Sequence, residues 1–200
     1  MNYFKNLKAI KGDASFRKFF RKKNKRFNSI IIFAKKEKFK NLLVYDSVNK
    51  ILNKNEILAP KLYQENYNKN FIEIQDFGND TIYKILKKKG TKKFKYFQKV
   101  IKLLSQIQSI KIKKIKNFKG KNYVIPKYDT TILTRETNLF YEWYARKKLP
   151  KKKIALFTKK FRKITKNLIL NLKLKNNVFV HRDFHVSNLM LVNNQIGVID

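Results

Sequence analysis

Residues 178–200 read VFVHRDFHVSNLMLVNNQIGVID. Asp183 supplies a carboxylate, and Asn188 and Asp200 supply two further side-chain oxygens. Moving a phosphoryl group onto a hydroxyl needs such a set. A carboxylate orients the attacking hydroxyl and accepts its proton, and hard oxygen ligands hold magnesium, which bridges the phosphates and offsets developing charge. Leu189–Val192 and Ile196–Ile199 read as short strands around the turn Asn193–Gln195. A hairpin there returns Asn188 and Asp200 to one side of a cleft. The plainer alternative is a polar loop held by local hydrogen bonds, with Asp200 merely ending a strand. The spacing of the whole set favours the chemical reading.

The elements that must position this loop are legible upstream. Ser15–Arg21 and Ser29–Ala34 read as extended segments around the polar turn Lys22–Asn28, the second apolar enough for a buried strand. Phe39–Asn53 carries Leu43, Val44, Val48, Ile51 and Leu52, an amphipathic helix pattern. Leu62–Tyr63 and Phe71–Ile74 read as a hairpin around Asn66–Asn70. The polar run from Gln75 to Asp80 is the best lobe boundary. Beyond it the pattern is helical: Thr81–Lys88 with Asp80 or Thr81 at its N-cap, Lys93–Ile110, Thr130–Lys147 and Lys151–Leu174. Val178–Val180 reads as a short strand. A small strand-rich part thus precedes a larger helical part that ends in a hairpin. The predicted class is α+β, with an N-terminal lobe over residues 1–76 and a helical lobe over 77–200.

The chain has 200 residues and 43% apolar side chains, enough for one domain or two small lobes around a cleft. It has no cysteine, which excludes disulfides and Cys-ligated metal sites. The sequence offers neither a signal-peptide stretch nor a membrane span, so the expectation is a cytoplasmic protein with no membrane partner. The formal charge of +36 would ordinarily suggest a polyanion partner. Here the charge is mostly Lys, spread along the chain among many Asn, Ile and Phe, residues that share AT-rich codons. A dedicated nucleic-acid surface is therefore the lesser reading, and the Lys-rich stretches 111–121 and 147–153 are expected to be solvated faces and loops. The positive field still favours anionic ligands such as nucleotides.

His181-Arg182-Asp183 with Asn188 fits H-R-D-x-x-x-x-N, followed by a metal-binding Asp, the signature of kinases. His185 two residues after Asp183 resembles the aminoglycoside-phosphotransferase superfamily more than the protein kinases. Three further segments resemble the bacterial N-acetylmuramate/N-acetylglucosamine anomeric kinases of cell-wall recycling: Gly12–Arg21, Ile74–Gly78, and Leu133–Glu136 through Leu139–Tyr144. This resemblance implies a two-lobed protein-kinase-like fold that uses ATP and Mg2+ to make a sugar 1-phosphate. It implies Asp183 as catalytic base and Asn188 and Asp200 as magnesium ligands. It implies a turn over the ATP phosphates at Gly12, Asp13, Ala14, Ser15 and Phe16, and a hinge meeting adenine at Gln75, Asp76, Phe77 and Gly78.

The sequence departs from the kinase pattern in two places. Ser29–Ala34 holds no Lys for the phosphates, since Lys35 and Lys36 follow it, and that role stays unassigned. The chain also stops at Asp200, where the family continues through several more helices, so an incomplete helical lobe and an inactive or poorly soluble isolated chain are expected. Arg182 is often Gly in aminoglycoside kinases, which leans toward the sugar-kinase branch.

Other candidates have two readings each. Glu136 and Trp143 could line the acceptor site, but the favoured reading packs Phe140, Trp143 and Tyr144 into the core with Glu136 exposed. His185 could touch phosphate or metal, but bracing of the loop is favoured, as it is for His181. Asp76 could meet ligand or cap the following helix. Alternative acceptors are an aminoglycoside, choline or an amino alcohol. The alternative class is a non-catalytic basic nucleic-acid-binding protein.

Overall fold

The computed structural model describes residues 7–10, 17–23, 27–34, 40–172 and 178–199. Two compact units emerge, one of residues 1–125 with 181–200 and one of residues 126–180.

The first unit is built on an antiparallel sheet in the order β1-β2-β3-β5-β4. Its strands are β1 Leu7–Ile10, β2 Arg17–Lys22, β3 Ser29–Ala34, β4 Leu62–Asn66 and β5 Phe71–Gln75. Strand β3 lies between β2 and β5, and its apolar run Ile30–Ala34 is nearly all buried, as a central strand requires. Helix α1, Lys40–Lys54, adds Leu42 and Tyr45 to a core with Ile30, Ile32, Ala34, Ile72 and Ile74. The β4–β5 connection closes through Asn70 at φ +66, a left-handed position that Asn tolerates better than most residues.

Buried Glu73 on β5 accepts from Ser29 Oγ at 2.5 Å and from Lys22 Nζ at 3.0 Å, so three strands share one compensated charge. Helix α2, Ile82–Lys87, begins at Thr81, whose Oγ1 accepts from Lys84 N at 3.2 Å; the capping role falls to Thr81 and not to Asp80 or Asp76. Helix α3 spans Lys93–Gln108.

A hairpin follows that the sequence reading did not foresee: β6 Lys114–Lys116 with β7 Asn122–Val124. The stretch 111–121 is therefore not simply a solvated face. Ile115 is buried, and Phe118 packs against the sheet core. The Phe118 N–H donates to the buried carboxylate of Asp46 on α1 at 2.9 Å, and Lys50 pairs with the same carboxylate at 2.8 Å.

Strands β8 Leu189–Val192 and β9 Gln195–Val198 form the predicted hairpin. Asn193 and Asn194, both at positive φ, make the tight two-residue turn whose twist matches antiparallel strands.

The second unit is helical. Helix α4, Thr130–Phe140, is capped by Asp129, which accepts from Thr131 N and Ile132 N at 3.0 and 3.1 Å. It runs into a π-helical turn, Tyr141–Ala145, then into the short α5, Arg146–Lys148, and α6, Lys151–Asn171. Phe140 and Phe161 join α4 to α6 with ring centroids 5.6 Å apart. The expected strand Val178–Val180 is not one: the segment has no strand neighbour among the described residues and stays irregular. No described helix is long and apolar enough to cross a membrane.

Candidate active site

The C-terminal part of loop 181–188 and the strand after it are tied to the start of α2. Val186 O accepts from Tyr83 N at 3.0 Å, and Leu191 N donates to Asp80 O at 2.8 Å. At the far end of the hairpin Val198 N donates to Leu58 O at 2.8 Å, and Ile199 N to Asn188 O at 3.1 Å. The Tyr45 hydroxyl donates to the Ile199 carbonyl. These bonds fix Asn188 beside the residue that precedes Asp200. Asp200 itself lies outside the described residues, as do Gly12, Asp13, Ala14, Ser15 and Phe16. The strands flanking the last five pair antiparallel, with Ile10 opposite Phe19.

Within the loop, Asn188 Nδ2 donates to Asp183 Oδ2 at 2.9 Å and to the Asp183 carbonyl at 3.2 Å. His185 Nδ1 accepts from Ser187 N at 3.3 Å, which assigns the remaining ring hydrogen to Nε2, 3.3 Å from Asp183 Oδ1. Each Asp183 oxygen thus has one oriented neighbour while the side chain is 66% exposed. An exposed, oriented carboxylate can receive a proton from a bound hydroxyl. His181 stacks edge-on to Phe184 with centroids 5.8 Å apart. Arg182 sits at φ +72, a region glycine adopts freely and other residues rarely, so its backbone conformation is one in which a glycine would be at ease. Burial raises the Tyr123 hydroxyl above its usual range, and the Arg182 guanidinium pulls it down.

Asp183, His185, Ser187 and Asn188 form one wall of a cleft of about 730 Å³, within the usual range of roughly 300–1,000 Å³ for small-molecule sites. Phe19, Ile30 and Ile74 give the cleft apolar surface, and Gln75–Asn79 also line it. The sequence candidates Gln75, Asp76 and Phe77 therefore lie in the same cleft as Asp183. Their surroundings differ, however. Asp76 is buried and paired with Arg21: Nε to Oδ2 at 2.5 Å and one terminal nitrogen to Oδ1 at 3.0 Å. Arg21 also donates to Gly78 O at 2.6 Å and Asn79 Oδ1 at 2.5 Å. Phe77 is buried against Gly197. Arg21 was missed as part of this edge because its partners are more than fifty positions away in sequence.

Asn188 suits a magnesium ion. Its amide nitrogen is turned to Asp183, which leaves the carbonyl oxygen, a hard donor, on the other side of the amide. Glu136 and Trp143 lie in the helical unit. Trp143 is 68% exposed and Tyr144 is also exposed, so the core-packing reading fails for these two, while Phe140 packs on Phe161 with half its surface exposed. Glu136 is half-buried and accepts from the Tyr128 hydroxyl. Neighbouring Thr134, Arg135, Asn138, Leu139 and Glu142 line a shallow groove of mixed character along α4 and the turn after it.

The family model described as "Phosphotransferase enzyme family", APH, matches residues 6–200. The chain belongs to this phosphotransferase family. Proteins that resemble it include the N-acetylmuramate/N-acetylglucosamine kinases of Neisseria meningitidis serogroup B, 27% identical over 98% of this chain and 56% of that protein, and of Pseudomonas putida, 25% identical over 98% and 54%. The chain thus spans about half the length of the curated relatives it matches. Among solved structures it is similar to a streptomycin–ATP–APH(2'')-IIa ternary complex, with TM-score 0.62 and 16% identity over 97% of this chain and 64% of that one. It is also similar to an ethanolamine kinase of Plasmodium vivax, with TM-score 0.56 and 18% identity over 97% and 55%. The phosphotransferase fold, a β-rich part with a helical part, is the α+β arrangement foreseen from sequence.

Proposed function

We propose that the protein is an ATP-dependent kinase that phosphorylates a sugar hydroxyl. The substrate of this reading is the anomeric hydroxyl of N-acetylmuramate or N-acetylglucosamine, and the setting is cytoplasmic recycling of peptidoglycan. The observation that carries the reading is the Asp183 carboxylate, exposed in the cleft and oriented by Asn188 at 2.9 Å and His185 at 3.3 Å. The names of the relatives support the choice of acceptor.

In this mechanism the lobe boundary falls at residues 76–77. The nucleotide lies along Phe19, Ile30 and Ile74 with its base toward Gln75–Phe77, and Gly12, Asp13, Ala14, Ser15 and Phe16 remain the candidates for meeting its phosphates. The acceptor oxygen attacks the γ-phosphorus, its proton passes to Asp183, and the bond to the β–γ bridging oxygen breaks to release ADP. His185 and Asn188 hold the carboxylate so that no reorganisation is needed as the proton arrives. His181 and Arg182 shape the loop. Asn188 and Asp200 would hold magnesium, which supplies charge neutralisation on the phosphates. Glu136 and Trp143 remain candidates for the acceptor side.

The test is ADP release by the full-length gene product with magnesium, ATP and, in turn, N-acetylmuramate, N-acetylglucosamine, an aminoglycoside, choline and ethanolamine. Sugar-dependent turnover that falls by about 10²–10⁴ in Asp183→Asn is expected. Turnover with an amino alcohol or aminoglycoside alone would sink the sugar assignment. Turnover unaffected by Asp183→Asn would sink the site.

A further inference from the structure

Helix α1 packs on the five-stranded sheet, and its Tyr45 reaches the cleft. Protein kinases tie a helix to the nucleotide through a Lys–Glu ion pair. Helix α1, KNLLVYDSVNKILNK, contains no glutamate. Its one aspartate, Asp46, is turned to the Phe118 N–H and to Lys50. The link from α1 to the site is therefore of another kind.

Tyr45 is 6% exposed and sits in the core with Ile30, Ile32, Ala34, Leu42, Ile72 and Ile74. A tyrosine has few torsions, so close packing of its ring fixes where the hydroxyl lies. That hydroxyl donates to the Ile199 carbonyl, 154 positions away in sequence. The carbonyl belongs to the planar peptide group that joins Ile199 to Asp200. The Ile199 N–H, on the other side of the same residue, donates to Asn188 O at 3.1 Å. Both peptide groups of Ile199 are thus held, one by Asn188 and one by Tyr45. A buried phenol needs an acceptor in any fold. What singles out this one is its acceptor, the last carbonyl before Asp200.

We propose that Tyr45 is a positioning residue for the metal ligands: its hydroxyl holds the peptide group between Ile199 and Asp200 so that Asn188 and Asp200 can meet one ion. This inference rests on the nucleotide and magnesium reading given above. Magnesium tolerates little departure from octahedral geometry, so the placing of its ligands by the groups behind them bears directly on affinity.

The experiment compares the full-length gene product with Tyr45→Phe, which keeps the ring and removes the hydroxyl. Tyr45→Met, an adaptable apolar filler, replaces it if that variant does not fold. Mn2+, a paramagnetic stand-in for magnesium, is titrated in the presence of ADP and followed by electron paramagnetic resonance. Adenosine affinity is measured by calorimetry alongside. Tyr45→Phe is expected to weaken Mn2+ by roughly 3- to 10-fold, the span of one neutral hydrogen bond, with adenosine unchanged. In turnover its KM for Mg2+ should rise by the same factor, and kcat should recover at saturating Mg2+. Unchanged Mn2+ affinity, or equal losses for Mn2+ and adenosine, would overturn the role of Tyr45 and leave the kinase reading standing. A parent that binds adenosine but no Mn2+ in the presence of ADP would overturn the magnesium reading and this inference with it.

Discussion

The ring of Phe77 lies so close over Gly197 that a Cβ there would stand 2.7 Å from Phe77 Cε2 and 3.3 Å from Leu58 Cδ2. The edge of the cleft is thereby packed onto the strand that leads to Asp200. Gly197→Ala should force the ring aside and cost about 1–3 kcal/mol, read as a lower urea midpoint. Adding Phe77→Leu should return part of that loss, since the two positions are in direct contact. Additive losses would show that the ring is not the obstacle.

Arg21 and Asp76 give a second prediction. The Asp76 side chain is 5% exposed and that of Arg21 17%. Arg21→Met leaves a buried carboxylate without its counter-charge and should cost about 3 kcal/mol. The double variant Arg21→Met/Asp76→Leu should recover much of it. Equal stability of Arg21→Met and the parent in denaturant would contradict the pairing.

Asp46 predicts a pH dependence. Burial raises its carboxyl above the ordinary value of 3.8, against the opposing pull of Lys50 and the Phe118 N–H. A group raised in this way favours the fold when protonated. Its contribution is fully present below the unfolded value and is lost as pH rises through the folded one. Asp46→Asn keeps an acceptor for Phe118 and carries no charge to bury. The Tm of Asp46→Asn relative to the parent should therefore climb from below pH 3.8 toward neutrality. A relative Tm that falls over that interval would mean the Lys50 pair outweighs the cost of burial.

His185 is exposed and touches Asp183 through Nε2. His185→Ala should lower kcat on the order of tenfold, at the weak end for a hydrogen bond to a charged group. KM for ATP and the Tm should barely move. A rise in KM with constant kcat would indicate that His185 contacts the nucleotide instead.

The contacts within the loop were readable because His181, Arg182, Asp183, His185 and Asn188 sit within one short stretch. The bonds Asn188–Asp183 and His185–Asp183 are local, so spacing carries them. Strand β3 and the β8–β9 hairpin were also plain, one from its unbroken apolar run and the other from Asn193-Asn194 between two apolar segments. The hairpin β6–β7 was hidden by lysine content. The alternation Lys114-Ile115-Lys116 was present, but the bond that ties the hairpin to α1, from Phe118 N–H to Asp46, is one no local pattern reveals. The Arg21 contacts failed to appear for the same reason. Trp143 was misread because an aromatic run looks like core, while the structure turns Trp143 outward.

That outward turn has a geometric consequence. A π-helical turn spends about one residue more per turn than an α-helix, so Tyr141–Ala145 acts as a one-residue insertion absorbed without breaking the rod. Each residue advances an α-helix by roughly 100°, so residues after Ala145 are out of phase with a stripe drawn through Thr130–Phe140. Removing one residue between 141 and 145 would let the turn relax to ordinary helix and rotate everything that follows about the axis. The length of this turn, more than its composition, sets the direction in which Arg146, Lys147 and Lys148 present their charge.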